Sequence, residues 1–139
     1  VKRVGLGNLQ LSFLNTKLYD NENDNSNVLY FSYFNFQFLL MGDASKKRES
    51  DILVNYNLQN IDFLKVGHHG SNTSSSKEFI SKINPKYSLI SVGKDNRYGH
   101  PKDSVLDILK NTKIYRTDIN GSIEIQLKKN TYKIRTCSP

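Results

Sequence analysis

Cysteine, histidine and long apolar runs are scarce in this chain. Its one cysteine, Cys137, cannot form a disulfide within the chain. No apolar run approaches the roughly 20 residues that a membrane-spanning helix needs, and residues 1–5 do not lead into the apolar segment of a secretory signal. These absences argue against a disulfide-stapled scaffold and a membrane span, and they predict a soluble domain.

The remaining composition is that of one globular domain. Of 139 residues, 37% are hydrophobic and 24% are charged, and no internal repeat is present, so we predict a single domain over residues 1–139. The net charge of +7 favours an anionic partner such as nucleic acid. The basic residues are scattered, however, and a solvated basic surface is the alternative. The chain begins with valine, as expected for a piece of a longer protein.

Apolar patterning predicts that helices separate the middle strands, while hairpins dominate both ends. Strands are indicated at residues 9–13, 28–34, 36–41, 61–66, 87–92, 114–116, 123–127 and 132–134. Helices are indicated at residues 45–56, after a capping box that starts at Ser75, and from Pro101 onwards. Ser45 is the expected N-cap of the first helix. The turn-rich segment 20–27 is interpreted as a plain loop rather than a cation site, and the hydroxyl residues of 71–76 as phosphate ligands or, alternatively, as loop and cap residues. Asn35 between two strands and the dipeptide Asn120-Gly121 each indicate a hairpin. We therefore predict an α/β (α+β) fold, a mixed β-sheet with its helices on one face.

The adjacent histidines His68 and His69 form the centre of the candidate site. They follow the apolar run 61–66 and lie between Gly67 and Gly70. Adjacent side chains of an extended chain point to opposite sides, so one imidazole can face a metal ion while the other faces a substrate. The alternative is an ordinary packed or surface pair.

Two further residues stand in equivalent places after other predicted strands. Asp43 follows the run 36–41, and His100 ends the polar loop after the strand at 87–92. In α/β folds, functional side chains gather at the carboxyl ends of the strands. As alternatives, Asp43 is a carboxylate at a helix start, and His100 belongs to a helix cap.

Five sequence blocks resemble a known family when taken in order. They read Asn-Ser-Asn-Val at 25–28, Leu-Leu-Met-Gly-Asp at 39–43, Gly-His-His-Gly-Ser-Asn-Thr-Ser at 67–74, Asn-Arg-Tyr-Gly-His-Pro at 96–101 and Tyr-Arg-Thr-Asp-Ile-Asn-Gly at 115–121. Together they resemble the C-terminal half of the metallo-β-lactamase-fold domain of ComEC-type DNA-internalisation competence proteins. The resemblance implies half of a four-layer αββα sandwich.

The resemblance also implies a metal-dependent hydrolase site of the phosphodiesterase or nuclease type. The family's site holds two zinc ions, with manganese as the alternative metal. Asp43 would bridge the metals and His69, rather than its neighbour, would ligate the second one, although the sequence does not decide between them. His68 and His100 would then act on the substrate, single-stranded DNA or another phosphodiester.

One departure from the family is large, because the His-x-His-x-Asp-His motif of the first half is absent. We therefore expect a fragment that is inactive alone, and the sequence leaves open whether the chain is an enzyme. A non-catalytic interaction or nucleic-acid-binding module is the alternative. The inner sheet face, with alternate residues of 9–13, 28–34 and 123–127, would otherwise be bare, so the expected partner is a second copy of the chain or the missing N-terminal half. As the alternative, the N-terminal strands fold over this face within one chain. The resemblance places the domain in a bacterial membrane protein, outside the cytoplasm.

Overall fold

The computed structural model describes residues 2–7, 9–14 and 17–138, so the chain ends of the expected 1–139 domain lie outside it. Nine strands are found in this part of the chain: β1 (Lys2–Leu6), β2 (Leu9–Phe13), β3 (Leu29–Tyr33), β4 (Phe36–Leu40), β5 (Phe63–Lys65), β6 (Tyr87–Ile90), β7 (Lys113–Arg116), β8 (Ser122–Lys128) and β9 (Thr131–Cys137). The helices are α1 (Lys46–Asn55), α2 (Lys77–Ile83), α3 (Asp103–Ile108) and the single turn α4 (Thr117–Asn120). A 3₁₀ segment spans Glu22–Asn25, and a turn with left-handed backbone spans Gly67–Gly70.

Strands β1 to β7 form one sheet whose spatial order equals their order in the sequence. Strands β1 to β4 are antiparallel neighbours, whereas β4 to β7 are parallel and are connected through α1, α2 and α3. The prediction of a mixed sheet in an α/β fold is confirmed. Strand β1 was not predicted. It pairs with β2 at the edge of the sheet, and its residues lie mostly in contact with solvent.

One face of the sheet and the helices α1, α2 and α3 share the hydrophobic core. Strand residues Leu39, Leu64 and Ile90 contribute from the sheet. The helices contribute fully buried residues at helical spacing, which are Ile52, Phe79, Ile83, Val105 and Leu109. Helix α1 begins at its N-cap Ser45, as predicted, where the hydroxyl accepts a hydrogen bond from the amide of Lys47.

The opposite face carries a row of aromatic rings that runs across four strands. Phe31, Phe38, Phe63 and Tyr87 stack in sequence, with ring centroids 4.6, 4.8 and 5.2 Å apart. The hairpin β8–β9 packs onto this row through Tyr132, which meets the edge of Phe63 at 5.3 Å. We refer to these five side chains as the aromatic face.

The placement of the hairpin corrects one prediction. Residues 123–127 were expected on the bare face of the sheet, but β8 and β9 form a separate two-stranded sheet that packs against this face. The alternative expectation, in which the N-terminal strands close over the face, is also wrong, because β1 and β2 extend the sheet at its edge. That a second copy or a missing half covers the remaining face stays a prediction.

Three local predictions are wrong for identifiable reasons. Asn120-Gly121 does not form a hairpin between β7 and β8, since Gly121 instead caps the single-turn helix α4 at a φ of 67°. The N-cap of α2 is Ser76 rather than Ser75, since the hydroxyl of Ser76 accepts the hydrogen bond from the amide of Phe79, while Ser75 has a φ of 58° in the left-handed region. Pro101 lies just before α3 instead of in its first turn.

Candidate functional site

The carboxyl ends of β4, β5 and β6 bring the predicted site residues to one edge of the sheet. Asp43 follows β4 after Gly42, whose φ of 57° and close approach to Ser26 leave no room for a side chain. The hydroxyl of Ser26 accepts a hydrogen bond from the amide of Asp43 at 3.1 Å. The amide of His68 donates to the carbonyl of Gly42 at 2.9 Å, which ties the loop after β5 to the loop after β4.

The backbone of the histidine turn, Gly67–Gly70, differs from the extended form expected from the sequence. His68 and His69 have φ values of 46° and 55°, in the left-handed region that non-glycine residues seldom occupy. Such strained backbone is concentrated at functional sites. The planes of their rings are inclined at 65° to each other, with centroids 6.3 Å apart. Nδ1 of His68 lies beside the hydroxyl of Thr73 and Nδ1 of His69 beside the carbonyl of Ser91, so the two rings have different neighbours. That one ring faces a metal ion and the other a substrate stays a prediction.

His69 lies against Asp43, and a backbone carbonyl determines the tautomer of its ring. Its Nδ1 lies 2.6 Å from the carbonyl oxygen of Ser91. Because a carbonyl can only accept, Nδ1 must carry the hydrogen, and neutral His69 then has its lone pair on Nε2. This Nε2 lies 3.7 Å from Oδ1 of Asp43. Two electron-pair donors thus face each other, with room for a cation between them.

The geometry of this pair fits two ligands of a zinc ion. Two atoms that each lie about 2.05 Å from a tetrahedral zinc are roughly 3.4 Å apart, close to the observed 3.7 Å. A complete site requires three or four protein ligands. No group of three or more histidine, cysteine, aspartate or glutamate side chains suited to a metal exists within 2–7, 9–14 and 17–138. Among the described residues, Asp43 and His69 would therefore fill two positions around a metal ion.

His68 and His100 lie side by side on the outer part of the same edge. Their ring centroids are 6.0 Å apart, and Nδ1 of His68 lies 3.3 Å from the hydroxyl of Thr73. Burial lowers the pKa of His100, and the positive charge of Lys102 lowers it further. His100 is therefore neutral at neutral pH, which suits it to accept a proton or to donate a neutral hydrogen bond.

The loop that carries His100 is held by its own polar groups. The side chain of Asn96 donates to the carbonyl of His100 at 2.8 Å and accepts from the amide of the same residue at 2.8 Å. The amide of Lys102 donates to the carbonyl of Gly70. A methyl group at Gly70 would come within 2.5 Å of Pro101, so the histidine turn and this loop are in contact without space between them.

The serines of the loop 71–76, considered as phosphate ligands or as loop and cap residues, are engaged within the protein. The buried hydroxyl of Ser74 donates to the carbonyls of Gly67 and Ser71, and the hydroxyl of Ser76 caps α2.

The region 20–27, interpreted as a plain loop rather than a cation site, also has a structural role. Asp24 accepts from the amide of Ser45 at the start of α1.

Lys65 is a neighbour of the site that the sequence did not reveal. Burial lowers the pKa of this lysine, and the negative charge of Asp43 partly opposes that shift. Its ammonium group donates to the carbonyl of Val66 at 2.9 Å. Only its position at the end of β5 could have indicated it, because the cation lies in an otherwise apolar run.

Comparisons with known proteins place this chain beside bacterial proteins of competence and recombination. It is 39% identical over 109 residues to ComE operon protein 3 of Bacillus subtilis (77% of this chain, 14% of that protein). It is 38% identical over 93 residues to Competence protein ComA of Neisseria gonorrhoeae (64% and 13%). It is 32% identical over 116 residues to Recombination protein 2 of Haemophilus influenzae (82% and 14%). No protein-family model matches the chain.

These similarities bear out the likeness to competence proteins that the sequence blocks indicated. The chain spans about one-seventh of the length of the curated relatives that it matches. The metallo-β-lactamase fold, by contrast, stays a prediction from the five blocks. In the part of the chain that the structure describes, no helix is long and apolar enough to cross a bilayer.

Proposed function

We propose that this chain is the C-terminal half of a metal-dependent phosphodiesterase or nuclease-like domain in a competence-related DNA-uptake protein. The observation that carries the proposal is the pair formed by Asp43 and His69, whose free donor atoms face each other at 3.7 Å. His68 and His100 would contact the substrate, single-stranded DNA or another phosphodiester. From the resemblance alone, we place the domain outside the cytoplasm as part of a larger bacterial membrane protein.

Three observations support this proposal. The donor atoms of Asp43 and His69 suit zinc, and manganese is the alternative ion. The neutral ring of His100 lies beside His68 and is suited to move a proton at a bound ester. The similar proteins include one named a competence protein and one named a recombination protein. Because the chain supplies only part of a metal site, the proposal assigns it no turnover of its own.

Zinc binding by the isolated chain tests the half-site directly. We expect weak binding, far below the roughly 10–16 kcal/mol of closed structural zinc sites, because Asp43 and His69 leave most of the coordination sphere to water. Isothermal titration calorimetry should be done in a Cys137→Ser background, since that thiol is exposed and free.

Matched variants separate this site from adventitious binding. Asp43→Asn and His69→Ala should each abolish the heat of zinc binding, whereas Asp95→Asn, at an exposed carboxylate in the neighbouring loop, should leave it unchanged. Equal binding by all three variants would refute the half-site. Binding as tight as that of a zinc finger would show that the chain holds a complete site.

The isolated chain should not hydrolyse phosphodiesters above background when zinc or manganese is added. The reason is the small number of protein ligands, which leaves no metal fixed in position relative to His68 and His100. Bis-p-nitrophenyl phosphate and labelled single-stranded DNA are suitable substrates. Turnover that disappears in Asp43→Ala would contradict this expectation and show that the chain assembles a working site by itself.

A further inference from the structure

The loop between β6 and α3 exposes an aromatic ring beside the candidate site. Tyr98 is 61% exposed, so its ring is accessible to a ligand beside the site. One neighbour of this ring is the guanidinium of Arg97, whose carbon lies 4.9 Å from the ring centroid. Another is the ring of His100, tilted by only 24° and 5.8 Å away between centroids. We call these three side chains the loop platform.

The loop platform is held in place by hydrogen bonds rather than by burial. Nη2 of Arg97 donates to the hydroxyl of Tyr98 at 2.8 Å, which fixes the guanidinium along the ring. The ammonium group of Lys102 donates to the carbonyl of Tyr98 at 2.7 Å. Asn96 fixes the backbone at His100 from the other side. A platform ordered in advance loses little conformational entropy when a flat ligand stacks on it.

The platform continues the row of rings that begins at the metal-ligand pair. His69 approaches Asp43, His68 lies 6.3 Å from His69, and His100 lies 6.0 Å from His68. Tyr98 is the next ring after His100. A ligand that places a phosphate near His68 and His100 therefore has its adjoining group beside Tyr98.

The charges around the platform favour an anionic chain. Arg97 and the exposed Lys94 belong to the same loop, and Lys102 follows it, whereas Asp95 and Asp103 are the acidic residues of this stretch. The chain as a whole carries a net charge of +7. Phosphates attract such cations without regard to sequence, while exposed tyrosine and arginine planes stack with unpaired bases. An acidic peptide or lipid would contact the cations, but it has no flat base to stack on the exposed ring.

We infer that the loop platform of Arg97, Tyr98 and His100 stacks an unpaired base of single-stranded nucleic acid and so positions the neighbouring phosphate at His68 and His100. This inference deepens the proposed function and rests on it for the identity of the substrate. Tyr98 is a positioning residue in this scheme, because it contacts a base and not the reacting phosphate. The platform distinguishes single strands from duplexes, whose bases are already stacked and paired.

Fluorescence anisotropy in low salt with EDTA tests the inference without any metal. The probes are labelled (dT)15, an abasic 15-mer with the same phosphates, (U)15 and a 15-base-pair duplex. Tyr98→Ala should weaken binding of (dT)15 by about tenfold, within the range measured for stacking on one aromatic side chain. The same variant should bind the abasic strand as the wild type does. Tyr98→Phe should lose much less affinity than Tyr98→Ala, because the ring remains and only the hydrogen bond from Arg97 is removed.

Val54→Ala is the matched control, since Val54 is 84% exposed on helix α1 and has no part in the platform. It should bind every probe as the wild type does. The inference is overturned if Tyr98→Ala lowers the affinity for (dT)15 and for the abasic strand by the same factor. It is also overturned if Tyr98→Ala and Val54→Ala bind (dT)15 with the same affinity, or if the wild type binds the duplex as tightly as (dT)15. The (U)15 probe shows whether RNA is bound as well as DNA. A loss of affinity in Tyr98→Ala for either single strand supports the platform.

Failure of this inference and failure of the proposed function give different results. If the zinc titration shows no dependence on Asp43 while base stacking depends on Tyr98, the half-site is refuted and the platform stands. If zinc binding behaves as expected while the abasic and normal strands bind alike, the platform is refuted and the half-site stands.

Discussion

Replacing Phe63 with alanine is expected to lower the free energy of unfolding by about 4 kcal/mol, near the upper end for large-to-small substitutions in a core. Phe63 is fully buried in the centre of the aromatic face. Its ring stacks between Phe38 and Tyr87 and meets the edge of Tyr132. Alanine would remove the contacts with the neighbouring strands and with the β8–β9 hairpin at once. Urea denaturation followed by far-UV circular dichroism gives the change.

A second phenylalanine provides the control for this measurement. Phe34 lies in the turn between β3 and β4 and is 38% exposed, so Phe34→Ala should change the free energy of unfolding by less than about 1 kcal/mol. If the two variants lose a comparable free energy of unfolding, the aromatic face does not contribute to stability as a packed core. The slope of the denaturation curve should stay the same in both variants if the folded and unfolded states keep their exposed areas.

Replacing Glu49 with alanine is expected to cost about 3 kcal/mol, the second largest effect. Its buried carboxylate accepts hydrogen bonds from the amides of Ser75 and Ser76, and this connects α1 to the start of α2. Removal leaves the N–H of the buried Ser75 without an acceptor, at about 1–3 kcal/mol, and the N–H of the partly buried Ser76 at less than that. Glu78→Ala, at an exposed carboxylate in the first turn of α2, is the matched control and should change stability by less than about 1 kcal/mol. Chemical denaturation measures the free energy of unfolding of both variants. Equal decreases in the two variants would contradict the expected role of Glu49.

The same carboxylate should give the protein a specific dependence on pH. Burial raises the pKa of Glu49, and the hydrogen bonds from Ser76 and Ser75 only partly oppose this. A raised folded-state pKa means that this group stabilises the fold fully below its unfolded value of about 4.3, and that the contribution is lost as pH rises through the folded value. The stability of the wild type relative to Glu49→Gln should therefore fall from about pH 4 towards neutrality. A constant difference would contradict the assigned shift.

The sequence was sufficient to bring Asp43 and His69 together, because both follow parallel strands whose carboxyl ends meet at one edge. The sequence did not reveal the groups that set the tautomer of His69 and hold the backbone of Asp43. The carbonyl of Ser91 and the hydroxyl of Ser26 act from remote positions, and one of them is a backbone atom that any residue could supply. Lys65 was missed since a single lysine in an apolar run carries no pattern.

Local turn signals were reliable only where no remote side chain competed with them. The hairpin predicted at Asn35 is present, and Phe34 and Asn35 both have the positive φ values that such tight turns require. By contrast, the capping box predicted at Ser75 is displaced by one residue. Ser75 has a positive φ of 58°, in a segment that Glu49 holds from a distance by accepting from the amides of both Ser75 and Ser76. Contacts between distant segments of this kind have no signature in a window of neighbouring residues.

The strand order of the large sheet bears on how the chain folds. Each strand pairs with the one before it in sequence. The β3–β4 pairing closes a tight turn, whereas the parallel pairings β4–β5, β5–β6 and β6–β7 each enclose a helix and join residues 24 to 26 positions apart, which slows their formation. The sheet can therefore grow one strand at a time as the chain is synthesised. The β8–β9 hairpin is the exception, because its Tyr132 contacts Phe63 of β5 and Tyr87 of β6. It docks only after those strands have paired, and until then the growing sheet exposes its aromatic surface to chaperones and to other nascent chains.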